Sequence, residues 1–391
     1  MNVTFCKKAN YINTLIFTLL IFVYPFQKIS ASDEISEKKE TKNEAKHEGA
    51  SSEKEKFNAG KVIIEHVVDN HEWHIAKFGE THVTIPLPVI LIDNGKLVTF
   101  CSSNFHHATQ SYKGYIIAEE GKHKGKIVKV LEDGVTIDES AAVPVDLSIT
   151  KNVMSLFIGL FVLCAIFLSV ARKYKKNNLR APKGLQSMVE PLIIFVRDDI
   201  AKPSIGEKRY GKFMPFLLTI FFFIFINNLM GLIPFFPGGA NLTGNIAITM
   251  VLAVFTFLIT TFSTNKAYWT HIINTPGVPW WLKFPIPLMP IVEILGVFTK
   301  PFVLMVRLFA NITAGHIIIL SFTSLIFIFA NINIGVGYGV SIISIIFNVF
   351  MGLLELLVAF LQAYVFTLLS AIYFGMAQVE HHHEEAHDHS A

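Results

Sequence analysis

"KPFVLMVRLFANITAGHIIIL", Lys300–Leu320, sets Arg307 in the middle of a run that otherwise has the solubility of lipid. A guanidinium at the centre of a membrane helix costs at least about 2.5–3.5 kcal/mol on insertion scales, so a chain keeps one only where something offsets the cost. The other residues of the chain have to supply that offset or imply a partner that does.

The composition fixes the class. Of 391 residues 52% are hydrophobic, 35 are Phe and only 16% are charged, against about 25% charged in a soluble globular domain. This is a membrane protein. The net charge of +3 is small, with Lys and Glu crowded into the first third, and it gives no nucleic-acid footprint. The three cysteines, Cys6, Cys101 and Cys164, are placed for neither a disulfide framework nor a zinc site. No cofactor-binding or metal-binding pattern is read.

The chain divides by composition. Residues 1–31 have Lys7 and Lys8, an apolar stretch from Leu15 to Val23 and small residues near Ala31, the layout of a secretory signal peptide. The alternative is an uncleaved anchor helix, for which the apolar core is short. Residues 32–57, "SDEISEKKETKNEAKHEGASSEKEKF", are charged and read as a disordered linker. Residues 58–148 shift to short β-branched runs, and "PVILIDNGKLVTF" places Asn94-Gly95 between two of them, a hairpin signal. A small β-rich exported N-terminal domain is expected. Its histidines, among them His66, His71, His74, His106 and His107, fit no zinc template and read as solvated surface residues.

Residues 149–378 read as an all-α polytopic membrane domain of about five spans. Val153–Val170 ends at the basic "ARKYKKNNLRAPK", which the positive-inside rule assigns to the cytoplasm. "GLQSMVEPLIIFVRDDI" is mildly amphipathic and suits the cytoplasmic interface. Phe213–Phe236 and Asn245–Phe262 follow, joined by the uncharged "PFFPGGANLTG", and the next loop carries Lys266 and Lys283 on the inside. Ile286 to about Ile332 and Val340 to about Met376 would make about 70 Å and about 55 Å of helix, against a hydrocarbon core of about 30 Å. These two long C-terminal helices are expected to tilt, bend or lie partly in the plane, and to form a hairpin about the glycine-rich "NINIGVGYG". Residues 379–391 are a His/acid-rich cytoplasmic tail.

The polar positions in these last spans are patterned. Glu293, Lys300, Arg307, Ala314 and Ser321 recur every seven residues, nearly two turns, so they line one face. Charge and small side chains on an apolar helix belong against protein or water. Asn311 widens that face, whereas His316 points elsewhere. Glu355 and Gln362 share a face of the next span. An antiparallel hairpin centred near Gly335 puts Arg307 level with Gln362, and His316 level with Glu355. Such a His–Glu pair can exchange protons with water. The plainer alternative, Arg307 as a structural ion-pair partner, explains one residue but not the matched set.

These residues resemble subunit a of the F-type ATP synthases. "KPFVLMVRLFANITAGHI" is similar to the family signature of lysine-proline, an arginine followed by leucine-phenylalanine, an asparagine and an alanine-glycine pair. "NNLMGLIPF", Asn227–Phe235, and "LLVAFLQAYVFTLLSAIY", Leu356–Tyr373, resemble its other two segments, and the likeness runs from about Val153 to Met376. The resemblance implies a multi-pass subunit of a bacterial inner membrane that is not catalytic for ATP itself. Its implied partners are the c-subunit ring, the b subunits of the peripheral stalk, the lipid bilayer and the translocated proton. It makes Arg307 the stator arginine, with Asn311 and Gln362 beside it, Glu293 and Lys300 on the inner approach, and His316 and Glu355 on the proton pathway. A guanidinium stays charged under all usable conditions. Facing each ring carboxyl, it would favour the ionised form and separate two offset half-channels. Each proton moved across 100 mV supplies about 2.3 kcal/mol.

The chain departs from the family pattern in two ways. His316 and Glu355 stand where some members carry glutamate and histidine, and Gly231 stands where an acid is common. The implied function is retained beside two others. A zinc transporter, suggested by "HHHEEAHDHS", would need His and Asp ligands inside the spans, where only His316 lies. A membrane-anchored β-domain adaptor would not need charges in the fourth span.

Overall fold

The structure, a computed structural model, describes residues 60, 69–78, 81–105, 110–118, 123, 125–131, 133, 136–138, 140–176, 181–233, 238–264, 268–269 and 288–378. The leader at 1–31, the linker at 32–57, His66, His106, His107, Lys266, Lys283 and the tail at 379–391 lie outside the described residues.

Short strands come first. β1 (Glu72–Phe78) pairs antiparallel with β2 (Thr81–Pro86). β3 (Pro88–Asp93) lies between β4 (Lys96–Cys101) and β7 (Val145–Asp146), and β5 (Tyr115–Ile117) pairs with β6 (Ile127–Lys129). The β3–β4 turn is Asn94-Gly95, with φ of 47° and 77°; the left-handed region at both positions gives the twist a two-residue hairpin needs. Val89 and Leu91 of β3 bury against Phe105, Tyr115 and Ile127, while Ile92 faces out, the alternation of a sheet with one wet face. The Tyr115 hydroxyl donates to Asp93 Oδ2 at 2.9 Å, and Lys129 Nζ is 2.8 Å from the same oxygen. His71 corrects the surface reading of the histidines: its ring is buried, with Nε2 3.0 Å from Asp146 Oδ2.

The sheet runs into the first helix without slack. Beyond β7, Leu147 N donates to Ile90 O at 2.7 Å and Ile149 N to Pro88 O at 3.0 Å. Helix α1 (Lys151–Lys176) then begins. Its first turn is held from far upstream, because Asp69 Oδ1 accepts from Asn152 N at 3.0 Å and Oδ2 from the Thr150 hydroxyl at 2.8 Å. A carboxylate capping the first N–H groups satisfies donors that have no partner within a helix. Burial pushes the Asp69 carboxyl up from the ordinary range, and the two accepted bonds oppose that shift.

The remaining chain is helical. α2 (Leu185–Phe195) passes through a π-turn (Val196–Ala201) into α3 (Lys202–Ile205); α4 (Tyr210–Leu232), α5 (Ile246–Phe262), α6 (Leu288–Ile332) and α7 (Ile334–Ala377) follow. Among the described residues four helices are long and apolar enough to cross a membrane: Lys151–Lys176, Tyr210–Leu232, Ile291–Ile332 and Ile334–Ala377. α5 has 17 residues, about 25 Å, slightly under a full hydrocarbon core. The core gathers around α4, whose Leu217, Phe221 and Ile224 are fully enclosed with Val196 and Ile200 of the π-turn and with Ala363 and Phe374 of α7. Phe213 stacks on Phe374 at 4.8 Å. Outside the spans, Arg197 and Lys202 each approach Asp198 to 2.7 Å and hold its carboxyl well below the usual range.

The break between α6 and α7 is narrower than the glycine-rich sequence indicates. Only Asn333 interrupts the helices, its side chain accepting from Gly335 N at 2.8 Å. Gly337 is helical, and a Cβ there would lie 2.7 Å from Ala330 Cα. It permits close approach of two helices rather than a wide turn.

Candidate functional site

α6 and α7 meet at repeated levels. Phe322 stacks on Phe347 with centroids 5.1 Å apart, and Asn348 Nδ2 donates to Thr323 Oγ1 at 2.9 Å. Seven residues back along α6 and seven forward along α7, His316 Nδ1 is 3.6 Å from Glu355 Oε1. Two turns on each helix preserve the register, so the His–Glu level follows from the Thr–Asn level.

Glu355 is buried, and among the described residues neither of its carboxyl oxygens has a hydrogen-bond partner. Two glycines border the pair, and Gly315 leaves room for the Glu355 carboxyl. A Cβ on Gly315 would come within 3.0 Å of Glu355 Oε1, and one on Gly231 within 3.7 Å of His316 Nε2. Other polar groups gather nearby on the α4 side. Asn228 Nδ2 donates to the Ala359 carbonyl at 3.2 Å, one turn from Glu355, and the Thr243 hydroxyl donates to Asn228 Oδ1 at 2.6 Å. Asn227 Nδ2 donates to Phe223 O at 2.7 Å while its buried Oδ1 has no partner among the described residues. Sequence reasoning missed Asn227, Asn228 and Thr243 as site residues, although two adjacent asparagines inside an apolar run were a signal.

Arg307 is placed differently. It is exposed on α6 with Val303, Val306, Ala310, Asn311 and Ala314, while Leu304, Leu308 and Ile312 bury the opposite stripe. Glu293 and Lys300 are half-buried. An ideal helix drifts about 20° per heptad, which carries the seven-residue stripe from a half-buried start to an exposed Arg307. Gln362 is buried on α7 with Ala359 and Ala363, so it differs in exposure from Arg307. The Lys300 ammonium lies 5.6 Å from the centre of the Tyr373 ring. The polar residues thus form two groups: His316, Glu355 and the asparagines inside the protein, and Glu293, Lys300, Tyr373 and Arg307 along a line that ends at the exposed face.

Comparison with known proteins follows this division of the chain. Residues 153–375 match the family described as ATP synthase A chain. Residues 62–147 match a Domain of unknown function (DUF8433). The chain is similar to ATP synthase subunit a of Chloroherpeton thalassium, 46% identical over 253 residues that cover 63% of this chain and 71% of the relative. It is also similar to ATP synthase subunit a 2 of Chlorobaculum tepidum, 47% identical over 249 residues covering 62% of this chain and 66% of the relative. Against ATP synthase subunit a of an Anaeromyxobacter species the identity is 41% over 254 residues, 62% of this chain and 57% of the relative.

Proposed function

Because the chain belongs to the ATP synthase A chain family, we propose that it is the membrane stator of an ATP synthase and forms two offset proton half-channels with a ring of c subunits. The observation that carries this reading is the exposed Arg307 on an apolar helix, flanked by the small residues Ala310 and Ala314. A guanidinium there needs a counter-charge that the described residues of this chain do not present on that face, and a partner helix bearing a carboxyl supplies it. The small neighbours let such a helix come close. A fixed positive charge favours the ionised carboxyl, so each ring subunit gives up its proton before passing Arg307 and takes another after it.

The outer half-channel is assigned to His316, Glu355, Asn227, Asn228 and Thr243. Buried polar atoms without partners are costly in a membrane interior, and water meets their requirement while carrying protons. Glu355 takes the place of an acid at position 231, because Gly231 and Glu355 both border His316. The inner half-channel is assigned to Glu293 and Lys300, with Asn311 and Gln362 near the arginine. In this reading α6 and α7 are the tilted arms of a hairpin. The strand-rich unit is exported behind a signal peptide, the basic end of α1 and the C-terminal tail are cytoplasmic, and b subunits of the stalk hold the chain against the ring.

The test is Arg307→Ala in the whole synthase reconstituted into vesicles. Assembly should persist and ATP-driven proton pumping should be lost. Pumping at the wild-type rate would overturn the assignment.

A further inference from the structure

The strand-rich unit carries one edge that its own described residues leave open. β4 is the outer strand of the order β4–β3–β7, and among the described residues no strand pairs with its far side. Exposed strand edges are normally blunted by a charge, a proline, a bulge or short length. The other strands of this unit follow that rule: β5 and β6 have three residues each and β7 has two, β1 is bulged between His74 and Ala76, and β2 ends in Pro86. β4, "KLVTFC", has six residues in unbroken register with β3, and its one charge, Lys96, stands at the turn.

Which backbone groups this edge offers follows from the hairpin. The Ile90 carbonyl accepts from Leu147 N, so the even-numbered residues of β3 turn their backbone groups toward β7 and the odd-numbered ones toward β4. Val89, Leu91 and Asp93 stand opposite Phe100, Val98 and Lys96, which are therefore the hydrogen-bonded residues of β4. Leu97, Thr99 and Cys101 point their N–H and C=O groups away from the sheet. The side chains agree with this division. Val98 and Phe100 pack on the core of the unit, while Leu97 is 66% exposed and Thr99 is exposed as well. Leu97 also extends an apolar row across the outer face, through Ile92 opposite it and Val145 on β7, both exposed.

The edge is complementary to itself. Opposite residues of an antiparallel pair share a face of the sheet, so a two-fold axis relating two such edges passes through a residue and not between two. An axis at Thr99 sets Thr99 of one copy opposite Thr99 of the other, Leu97 opposite Cys101, and Val98 opposite Phe100. This register engages all of the outward backbone groups. Thr–Thr and aromatic–β-branched pairs are favourable across strands, and Lys96 meets no like charge. We infer that β4 is a pairing edge for a second copy of this chain: two strand-rich units join β4 to β4 about Thr99 and form one continuous sheet. The contact is isologous, so it closes at two copies. A single ladder of this length is far smaller than a standard interface of about 1,600 Å², so confinement of both chains to one membrane supplies the concentration that it needs. The inference does not depend on Arg307 or on the stator reading, and pumping is not its readout.

The experiment uses membranes that contain the full chain, with Cys6, Cys101 and Cys164 replaced by alanine. Thr99→Cys is oxidised with copper phenanthroline and the chain is sized on a non-reducing gel; Ser140→Cys, exposed elsewhere in the unit, is the control. Facing Cα atoms of a hydrogen-bonded pair lie about 5.5 Å apart, within reach of a disulfide. Thr99→Cys should give a reducible dimer of the chain, and Ser140→Cys should stay single. Leu97→Cys with Cys101 kept should cross-link in the same way, and Leu97→Cys without Cys101 should not. Thr99→Pro gives up only the outward N–H and leaves the β3–β4 ladder whole, yet it should weaken association of the Leu97→Cys, Cys101 protein roughly ten-fold, the scale of two backbone hydrogen bonds. Thr99→Lys, which sets like charges opposite one another at the axis, should weaken it too, without a proline in the strand. No dimer from Thr99→Cys, an equal dimer from Ser140→Cys, cross-linking to a chain of different mass, or a Leu97→Cys dimer unaffected by both Thr99 changes would each overturn the pairing.

Discussion

His316 Nδ1 on α6 and Glu355 Oε1 on α7 lie 3.6 Å apart, inside a helix pair whose register is set two turns away by Thr323 and Asn348. The imidazole and the carboxyl belong to one level because both helices advance by the same seven residues from that contact.

This pairing predicts the outcome of an exchange. The double variant His316→Glu with Glu355→His keeps one acid and one imidazole at the level and should retain much of the pumping rate. His316→Ala and Glu355→Ala should each slow proton uptake without uncoupling, and their combined effect should be less than the product of the two, as for groups in contact. Proton flux in the four variants decides it. Independent effects together with an inactive exchange would mean that the two residues act separately.

Asp69 predicts a second effect, at the start of α1. It caps α1 through Asn152 N and Thr150, so Asp69→Ala should lower the stability of the strand-rich unit by about 0.5–2 kcal/mol, the range for losing an N-cap. Hydrogen exchange at Leu147 and Ile149, whose amides tie that connection to β3, should accelerate in the intact protein. Unchanged exchange would show that the cap is dispensable.

Tyr115 gives a pH prediction. Burial and the bond to Asp93 push its phenol up from 10.0 to about 12, so the folded state holds this proton more tightly than the unfolded chain. The associated stability is fully present below pH 10 and is lost as pH rises through about 12. The difference in phenolate absorbance between wild type and Tyr115→Phe should therefore titrate near the upper value. A midpoint near 10 would contradict the buried Tyr115–Asp93 contact.

What the sequence disclosed follows the range of the interactions. The Asn94-Gly95 turn, the apolar runs and the seven-residue stripe from Glu293 are local patterns, read from two backbone preferences and one helical period. The His316–Glu355 level could be read because one short break relates the two helices. Asp69 capping Asn152 and Asn228 bonding the Ala359 carbonyl could not be read, since each depends on which distant segment arrives there and no local period records it. The exposure of Arg307, against the burial of Gln362 on the next helix, was hidden for a related reason: a heptad names a face, and the drift of the helix along α6 decides which way that face turns.

The central claim is that Arg307 separates two aqueous paths, and passive proton flux measures this directly. Vesicles holding the whole synthase without nucleotide are given a transmembrane potential, and internal pH is followed for wild type, Arg307→Ala and Arg307→Lys. Wild type should hold the gradient. Arg307→Ala should leak, and neither variant should synthesise ATP once substrates are added, because a compact ammonium does not reproduce the planar guanidinium fork. Equal tightness in wild type and Arg307→Ala, with synthesis surviving in the alanine variant, would contradict the account.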